Sequence, residues 1–416
     1  MKILISILMT ITFAFASDAT IEVIKKIDSL PSIALEDGST HKDETFKMKF
    51  FKSLVADLNV ISLFNVDRRK FNNDFDTNEV DVINKNANFV LKYSLSENDS
   101  AGFSIKIKMI NNDEVVLRKN YKVSNSKKYM FVAHTIAYEI NKYMGEPSIE
   151  WIKKKVIFSR VVAPKKSEIV IADYTLSYQH IVVKGGFNLF PKWSSPKQNG
   201  FYYTSLNEVK PTLKHVNIRT AKITNIISSE GMMTCSDVNS NGTKLLLTMA
   251  PKGQPDIYLY DVRTKKIKKI TRYKGIDVSG QFMGNDKIVF VSNRLGYPNI
   301  FSKSLNNNDI EQMVYYGKSN AACTANGEYI VYKSRESSNA FSKNTFNLHI
   351  ISTKTDFIRR LTASGVNEFP RFSRDGDAVL FIKNYKNQSS IGIIRLNHNK
   401  NYLFPLKYGK VQSMDW

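Results

Sequence analysis

The feature that most constrains the fold is a short apolar run that returns six times after residue 150. One copy is AVLFIK at 378–383, which closely follows the turn pair Asp375-Gly376. When the copies are aligned on a central residue, successive copies lie 45, 44, 43, 42 and 49 residues apart. The central residues are Phe158, Tyr203, Leu247, Phe290, Tyr332 and Phe381. A period of this length predicts one structural unit that is copied along the chain.

Three further runs accompany each apolar run, so each unit has four candidate strands. In the sixth unit these are FPRFS before the turn, and SIGIIRL and YLFPL after the apolar run. Between the first two strands stands a residue pair that tolerates the positive φ of a tight hairpin. The pairs are Asn199-Gly200, Asn241-Gly242, Asn285-Asp286, Asn326-Gly327 and Asp375-Gly376. Four strands per unit and six units predict an all-β, six-bladed β-propeller over 151–416.

The first unit lacks a strand before its apolar run, and the end of the chain supplies a candidate for it. The last six residues read VQSMDW, and Trp416 lies 44 residues after Phe372, one repeat further on. We therefore expect 411–416 to pair beside 156–160 and to close the ring of blades. Closure would remove the unpaired edges that an open array of sheets leaves exposed.

A different pattern precedes the repeats and predicts a small α/β domain over 29–147. Apolar residues recur every four positions within 43–58, which indicates an amphipathic helix. Strands are predicted at 89–95, 103–109 and 115–117, and the last two are expected to form a hairpin. A second helix is predicted over 127–144 and ends at Gly145. We interpret its one histidine, His134, as a packed core residue rather than a ligand.

The first sixteen residues have the pattern of a signal peptide. Lys2 precedes an apolar run over 3–15, and Ala14-Phe15-Ala16 fits a small-x-small cleavage site, so we expect cleavage after Ala16. The run is shorter than the roughly 20 residues that a membrane-spanning helix needs. No Cys follows Ala16, so no lipid attachment site is predicted. We expect an exported, soluble protein.

The formal net charge is +22, and the basic residues are dispersed rather than gathered in one block. An exported protein of this charge meets acidic proteins or an anionic envelope surface more readily than nucleic acid, but the dispersal favours an ordinary solvated basic surface. Cys235 and Cys323 fall in units that are not adjacent, so we expect two buried free thiols rather than a disulfide. No Cys or His spacing is typical of a metal site, and no cofactor is predicted.

Catalytic motifs are scarce. The loops that lead into the first strand of each unit carry Asp277, Asn320, Asn367 and Glu368, which are few groups for a calcium-dependent propeller lactonase. Relatives of prolyl oligopeptidase have similar repeats, but they add a hydrolase domain with a G-x-S-x-G elbow, and this sequence contains no such elbow. The sequence therefore argues against an enzyme.

Three stretches carry a resemblance to a known family. They are GQPDIYLYDVRTKKIKKIT at 253–271, VSNRLGYPNIF at 291–301 and FVAHTIAYEINKYMG at 131–145. With the order of signal peptide, α/β domain and repeats, they resemble TolB, the family of periplasmic components of the Tol–Pal envelope system. The resemblance covers essentially the whole chain after residue 16. It implies a monomeric, non-catalytic scaffold, peripheral to the membrane, that supports outer-membrane integrity, invagination during cell division and colicin import.

The resemblance also implies two partner sites. The propeller face formed by the loops that lead into the inner strands would bind Pal, the peptidoglycan-associated lipoprotein. Its candidates on this sequence are Phe187, Met232, Met233, Thr234, Asp277, Val278, Asn320, Asn367, Glu368 and Phe369. The N-terminal segment 17–28 would bind the inner-membrane protein TolA by adding a strand to a sheet edge of that partner. Its candidates are Ser17, Ala19, Ile21, Val23, Ile27 and Asp28.

Two other functions stay open at this point. A propeller hydrolase or lactonase would hold calcium at the channel mouth and depend on Asp277 or Glu368. A cationic binder of envelope glycan or lipopolysaccharide would show salt-sensitive binding spread over the lysine-rich surface.

Overall fold

The computed structural model describes residues 30–98, 102–336, 345–355 and 357–416. The expected signal peptide lies outside these ranges, and so does the segment 17–28 with all of its candidate residues. Within the described ranges, the structure contains no helix that is both long enough and apolar enough to cross a membrane.

The N-terminal region combines two α-helices with one mixed sheet. Its elements are β1 (Ser32–Asp37), α1 (Glu44–Ile61), β2 (Asn65–Val66), β3 (Phe71–Asn72), β4 (Phe89–Glu97), β5 (Phe103–Asn111), β6 (Glu114–Val123) and α2 (Tyr129–Tyr143). The sheet order is β2-β1-β4-β5-β6, and β3 also pairs with β1. The predicted helices and hairpin are confirmed. Helix α1 continues beyond the predicted end at 58 because Val60 and Ile61 are buried in the core beneath it.

Local signals account for the ends of these elements. Asp43 caps α1, since its carboxylate accepts the N–H of Phe46 at 3.0 Å. Asn112 and Asp113 turn β5 into β6 with φ of 49° and 64°, the left-handed conformation that a two-residue hairpin needs.

After residue 150 the regular elements of the described residues are all strands, apart from a short 3-10 helix at Glu150–Lys153 that leads into them. The strands are β7 (Val156–Ala163), β8 (Lys166–Ala172), β9 (Gln179–Lys184), β10 (Asn188–Trp193), β11 (Gly200–Ser205), β12 (Thr212–Asn217), β13 (Ile223–Ser228), β14 (Met233–Val238), β15 (Lys244–Met249), β16 (Asp256–Asp261), β17 (Ile267–Lys269), β18 (Asp277–Met283), β19 (Lys287–Ser292), β20 (Asn299–Ser304), β21 (Ile310–Gln312), β22 (Lys318–Asn326), β23 (Tyr329–Arg335), β24 (Phe346–Ser352), β25 (Ile358–Arg360), β26 (Val366–Phe372), β27 (Ala378–Tyr385), β28 (Gln388–Arg395), β29 (Lys400–Pro405) and β30 (Lys410–Asp415).

Within the described residues, these strands form antiparallel groups of four that follow the predicted repeat. The groups are β10-β11-β12-β13, β14-β15-β16-β17, β18-β19-β20-β21, β22-β23-β24-β25, β26-β27-β28-β29 and β30-β7-β8-β9. One parallel pair, Phe346 with Val366, joins β24 to β26 and so connects two groups into one sheet. In the last group, Val411 lies opposite Arg160 and Met414 opposite Phe158, so β30 pairs with β7 as the repeat register predicts.

We call the first strand of each group its leading strand. These strands are β10, β14, β18, β22, β26 and β30, and neighbouring ones contact each other, including β30 with β10. Each leading strand shifts register against its partner near its middle. At these shifts Phe190, Ser279, Ala322 and Phe369 adopt φ between 46° and 56°. Bulges of this kind re-aim side chains and are common beside functional sites.

The turn pairs follow the sequence expectation only in part. Gly242, Gly327 and Gly376 take positive φ, as predicted. At Asn199-Gly200 the expectation is wrong, because Gln198 takes the positive φ instead and Gly200 already begins β11. A Cβ on Gly200 would lie 2.7 Å from the carbonyl oxygen of Val216, so this glycine serves a close backbone approach. The degenerate pair Asn285-Asp286 is also displaced, since the positive φ falls on Gly284 before it.

Candidate functional site: the front mouth between the leading strands

The leading strands lie next to one another and line two cavities, one towards each end of the strands. The front mouth is the end at which these strands begin, together with the loops that join the second strand of each group to the third. The rear mouth is the opposite end, where Ser148, Glu150 and Trp151 of the connection from the N-terminal region line the opening.

Buried polar residues at the start of the leading strands hold the front loops in place. Asn188, Asn320 and Asn367 each donate a side-chain amide to a carbonyl three or four residues earlier. Asp277 holds the equivalent position and pairs with Arg294 at 3.2 Å. Three predicted contact residues, Asp277, Asn320 and Asn367, are fully buried and therefore shape the loops from inside.

The other predicted contact residues differ in exposure. Met232 is the most accessible, with 46% of its surface exposed, whereas Met233 and Thr234 are buried. The half-buried members of the set are Phe187, Val278, Glu368 and Phe369. The accessible part of the predicted site is therefore apolar except for Glu368, which pairs with Lys333 at 2.9 Å.

Sequence reasoning missed several exposed apolar side chains at the front mouth. Tyr315 and Tyr316, before β22, expose 69% and 65% of their surfaces, and Ile276, before β18, exposes 45%. A signal was present, because these large side chains stand next to Gly317 and Gly275, and glycine marks surface loops. Tyrosine is enriched at protein interfaces, so these loops favour a protein-docking role.

The front mouth opens into a cavity of about 200 Å³, which we call the front cavity. Its walls are mainly apolar and come from the bulged parts of the leading strands. They include Phe190, Met232, Ala322, Phe369 and Met414. Both cysteines, Cys235 and Cys323, also line it as buried free thiols, in agreement with the sequence expectation.

Behind the front cavity, one polar side chain from each leading strand forms a ring. Its members are Lys192, Asp237, Gln281, Thr324, Arg371 and Asp415. Lys192 lies 2.8 Å from Asp415 and 3.1 Å from Asp237, and Arg371 donates to the amide oxygen of Gln281 at 2.6 Å. The two cations and two carboxylates balance, so the ring carries no net charge.

The ring also ties neighbouring leading strands together. The carboxylates of Asp415 and Asp237 accept the backbone N–H groups of Trp193 and Phe282, at 2.9 and 2.8 Å. The hydroxyl oxygen of Thr324 accepts the backbone N–H of Phe372 at 3.3 Å. Behind the ring, the rear cavity, about 760 Å³ in volume, is lined by aromatic residues at the ends of the leading strands together with many polar residues. Because Lys192, Gln281 and Arg371 line both cavities, the ring lies between them.

A buried cluster of ionisable groups joins the N-terminal region to the repeats. Asp57 of α1, His134 of α2, and Asp173 and Tyr174 of the loop after β8 are fully buried. Nδ1 of His134 lies 2.8 Å from Asp57, and its Nε2 lies 3.4 Å from Asp173. The phenol of Tyr174 donates to Asp57. His134 is buried as the sequence predicts, but it also connects the two parts of the chain electrostatically.

The pKa of His134 reflects these contacts. Burial alone would lower it, but the attraction of Asp57 and the contacts with Asp173 outweigh burial and raise the pKa to about 9. At Asp173, burial alone would raise the pKa, but the charge of His134, 3.4 Å away, and the hydrogen bonds from Thr175 and the backbone of Tyr178 outweigh it, so the pKa of that carboxyl is lowered. Burial raises the pKa of Asp57 in spite of His134. His134 is therefore protonated at neutral pH.

A second buried contact ties α1 to the repeats. Arg395 at the end of β28 donates to the carbonyls of Val60 and Ile61, at 3.0 and 2.9 Å, where α1 ends. Its guanidinium also lies 2.7 Å from Asp377, which accepts the indole N–H of Trp151 at 3.1 Å. A cation at a helix C-terminus satisfies free carbonyls and complements the helix dipole.

Known proteins resemble this chain along its whole length. The family described as the TolB beta propeller domain matches residues 149–416. A curated relative from Wolinella succinogenes, Tol-Pal system protein TolB, is 46% identical over 423 residues that cover 100% of both chains. One of the same name from Campylobacter jejuni is 42% identical over 418 residues, again 100% of both. The crystal structure of TolB from Acinetobacter baumannii shares the fold, with a TM-score of 0.75 and 18% identity over 92% of this chain and 96% of that chain.

Proposed function

The chain belongs to the TolB family, and from this premise we propose that it is a non-catalytic periplasmic scaffold of the Tol–Pal envelope system. Full-length relatives that carry the name Tol-Pal system protein TolB support this role. In the cell, the scaffold would support outer-membrane integrity and invagination during division. The proposed organisation is a signal peptide at 1–16, a partner-binding segment at 17–28, an α/β domain at 29–147 and a propeller at 151–416.

The repeats are proposed to form six blades in a closed ring. The pairing of β30 with β7 and the contact of β30 with β10 support closure. The hydrogen bond from Trp193 of β10 to Asp415 of β30 supports the same arrangement. A closed ring would give the leading strands a common axis and hold the front loops in one plane.

The front mouth is proposed to bind a Pal-like lipoprotein. The observation that carries this proposal is the combination of a preformed apolar cavity with exposed apolar loops around it. Buried latches such as Asn320 and Asn367 fix these loops in advance, which lowers the entropy that binding would cost.

The segment 17–28 is proposed to bind a TolA-like inner-membrane protein. Its support is the sequence pattern, in which Ala19, Ile21 and Val23 alternate as in a strand that adds to the sheet edge of a partner. Residue 30, where the described part begins, stands two residues before β1, so the segment adjoins the N-terminal region.

One pull-down from envelope extract tests both partner assignments. The baits are the chain without residues 1–16 and the same chain that also lacks Ser17–Asp28. We expect the longer bait to retain a Pal-like and a TolA-like protein, and the shorter bait to retain only the Pal-like protein. Absence of a Pal-like protein from both baits would contradict the proposal.

The hydrolase alternative receives less support from the site. Asp277 and Glu368, which a lactonase would need, are engaged by Arg294 and Lys333. Within the described residues, no group of three or more His, Cys, Asp or Glu could hold a metal ion.

A further inference from the structure

The charges around the front mouth are strongly unbalanced. Exposed lysines stand in its loops, and within the described ranges no ion pair involves Lys165, Lys252, Lys274, Lys386, Lys407 or Lys410. Acidic residues of the same loops and adjoining strand ends are each paired with a cation of this chain. They are Glu168, Glu208, Glu230, Asp277, Glu336 and Glu368. The front mouth therefore presents uncompensated positive charge, which complements an acidic surface.

The front cavity has the size of one aromatic ring. A buried cavity of about 150 Å³ can hold benzene, so the front cavity, at about 200 Å³, has room for a phenyl or phenol group. Phe190 and Phe369 line it at positions where the backbone takes φ of 55° and 49°, so both rings belong to strained bulges. Such strain is often retained at binding sites. Met232 and Met414 add thioethers, which make favourable contacts with aromatic rings.

The polar ring supplies the floor of this cavity. Arg371 donates one guanidinium N–H to Gln281, but its Nε is buried without a hydrogen-bond acceptor among the described residues, 3.9 Å from Asp415. Lys192, Gln281 and Arg371 line the cavity with polar groups that a phenol hydroxyl could hydrogen-bond, and a guanidinium attracts the face of an aromatic ring. Tyrosine therefore matches the walls and the floor together.

We propose that the front mouth binds an acidic protein surface that inserts one aromatic side chain, preferably tyrosine, into the front cavity. The proposal rests on the proposed function of this mouth as a protein-docking face, and it specifies the chemistry of the partner. A central aromatic anchor surrounded by charged contacts is a common arrangement of interface hot spots. An anionic glycan would satisfy the lysines but would leave the apolar cavity unfilled.

The cavity can be tested without any partner. The probe is N-acetyl-tyrosinamide, added to the chain without residues 1–16 and labelled with ¹³C at its methionine methyl groups. We expect upfield shifts of the Met232 and Met414 resonances, caused by the ring current, and no shift of Met109 in the core of the N-terminal region. N-acetyl-leucinamide is the control and should produce no upfield shift. Equal responses to the two probes, or no response, would overturn the aromatic anchor.

The charge and the cavity can then be tested with the purified Pal-like lipoprotein. We expect the association rate to fall at least tenfold between 50 and 500 mM NaCl, because screening shortens the range of the field to a few ångströms. The double variant Lys407→Glu/Lys410→Glu should slow association at low salt. Lys265→Glu/Lys266→Glu, in the turn between β16 and β17 on the rear side, is the matched control and should leave the rate unchanged.

Ala322→Leu places a larger side chain in the front cavity and should weaken binding about 30-fold, or about 2 kcal/mol. Ala325→Leu, on the same strand but at the rear cavity, should not weaken binding.

Unchanged binding by Ala322→Leu with a rate independent of salt would overturn the inference and leave the proposed function intact. If the wild-type chain binds no Pal-like protein, the proposed function fails, and the N-acetyl-tyrosinamide titration still decides the cavity. If Ala322→Leu does not fold, the N-acetyl-tyrosinamide titration of the wild-type chain still tests whether the front cavity binds an aromatic ring. Salt-sensitive capture of an anionic polysaccharide, without a response to N-acetyl-tyrosinamide, would replace the proposal with glycan binding.

Discussion

Substitution of His134 by leucine should destabilise the folded chain strongly. The side chain lies between Asp57 and Asp173, all three groups are fully buried, and His134 supplies the positive charge of the cluster. Removing one partner of a buried ion pair costs about 3–5 kcal/mol, because the remaining charge stays without compensation. The pKa gives a similar magnitude. A rise from 6.5 to about 9 corresponds to about 3 kcal/mol at 1.36 kcal/mol per unit.

The sign of the pH dependence follows from the same shift. The pKa of His134 is higher in the folded chain than in the unfolded one, so folding takes up a proton between the two values. The stabilisation is fully present below pH 6.5 and is lost as the pH rises through about 9. The difference in unfolding free energy between the wild type and His134→Leu should therefore shrink across this window.

Urea denaturation followed by tryptophan fluorescence measures the effect, at several pH values between 6 and 9.5. His180→Leu is the matched control, because His180 is exposed and should change stability little. In the double variant His134→Leu/Asp57→Asn, one stranded carboxylate is removed as well, so part of the loss should be recovered. A His134→Leu loss below about 0.5 kcal/mol at pH 6.5, the size of an ordinary surface change, would refute this account of the cluster.

Three further predictions concern the contacts that hold the repeats. Deletion of 411–416 should lower the melting temperature strongly, since Val411 and Met414 are buried and burial of each side chain contributes about 1.5–3 kcal/mol to stability. An unchanged melting temperature by calorimetry would contradict closure of the ring by β30. Arg395→Met should lower the free energy of unfolding in denaturant by about 3–5 kcal/mol, because Asp377 would lose its buried cation and two carbonyls of α1 would lose their donor. A loss as small as that of Arg360→Met, at an exposed ion pair, would contradict this. Lys192→Met should destabilise by several kcal/mol, since Asp237 and Asp415 would lose their shared cation; Lys287→Met, at an exposed pair, is its control.

The spacing of the repeats in the sequence was sufficient to predict most of the fold. Tyr203, Phe290 and Phe381, aligned by spacing alone, are buried in the second strands of three groups, and Trp416 placed β30 beside β7. This succeeded because a blade must bury both faces, which imposes the same apolar run on each unit. Hairpin details were less predictable, since Gln198 rather than Gly200 takes the positive φ, and Gly200 is instead needed for a close backbone approach to Val216.

The site was harder to predict because burial is a tertiary property. Asp277, Asn320 and Asn367 lie at the front mouth, yet their side chains are buried and hold the front loops from inside. The polar ring joins residues up to 223 positions apart, such as Lys192 and Asp415, and no local pattern shows that pairing. His134 was correctly placed in the core, but its partner Asp57 lies 77 residues away on another helix.

The most direct test of the account is calorimetric titration of the purified Pal-like lipoprotein into the chain without residues 1–16. Met232 at the front mouth and Ile223 at the rear end of β13 are exposed to similar degrees, 46% and 51%, so glutamate substitutions at these positions form a matched pair. The account predicts saturable binding that Met232→Glu weakens at least tenfold and Ile223→Glu leaves unchanged. No binding by the wild-type chain, or equal losses in the two variants, would contradict the claim that the front mouth is the docking face.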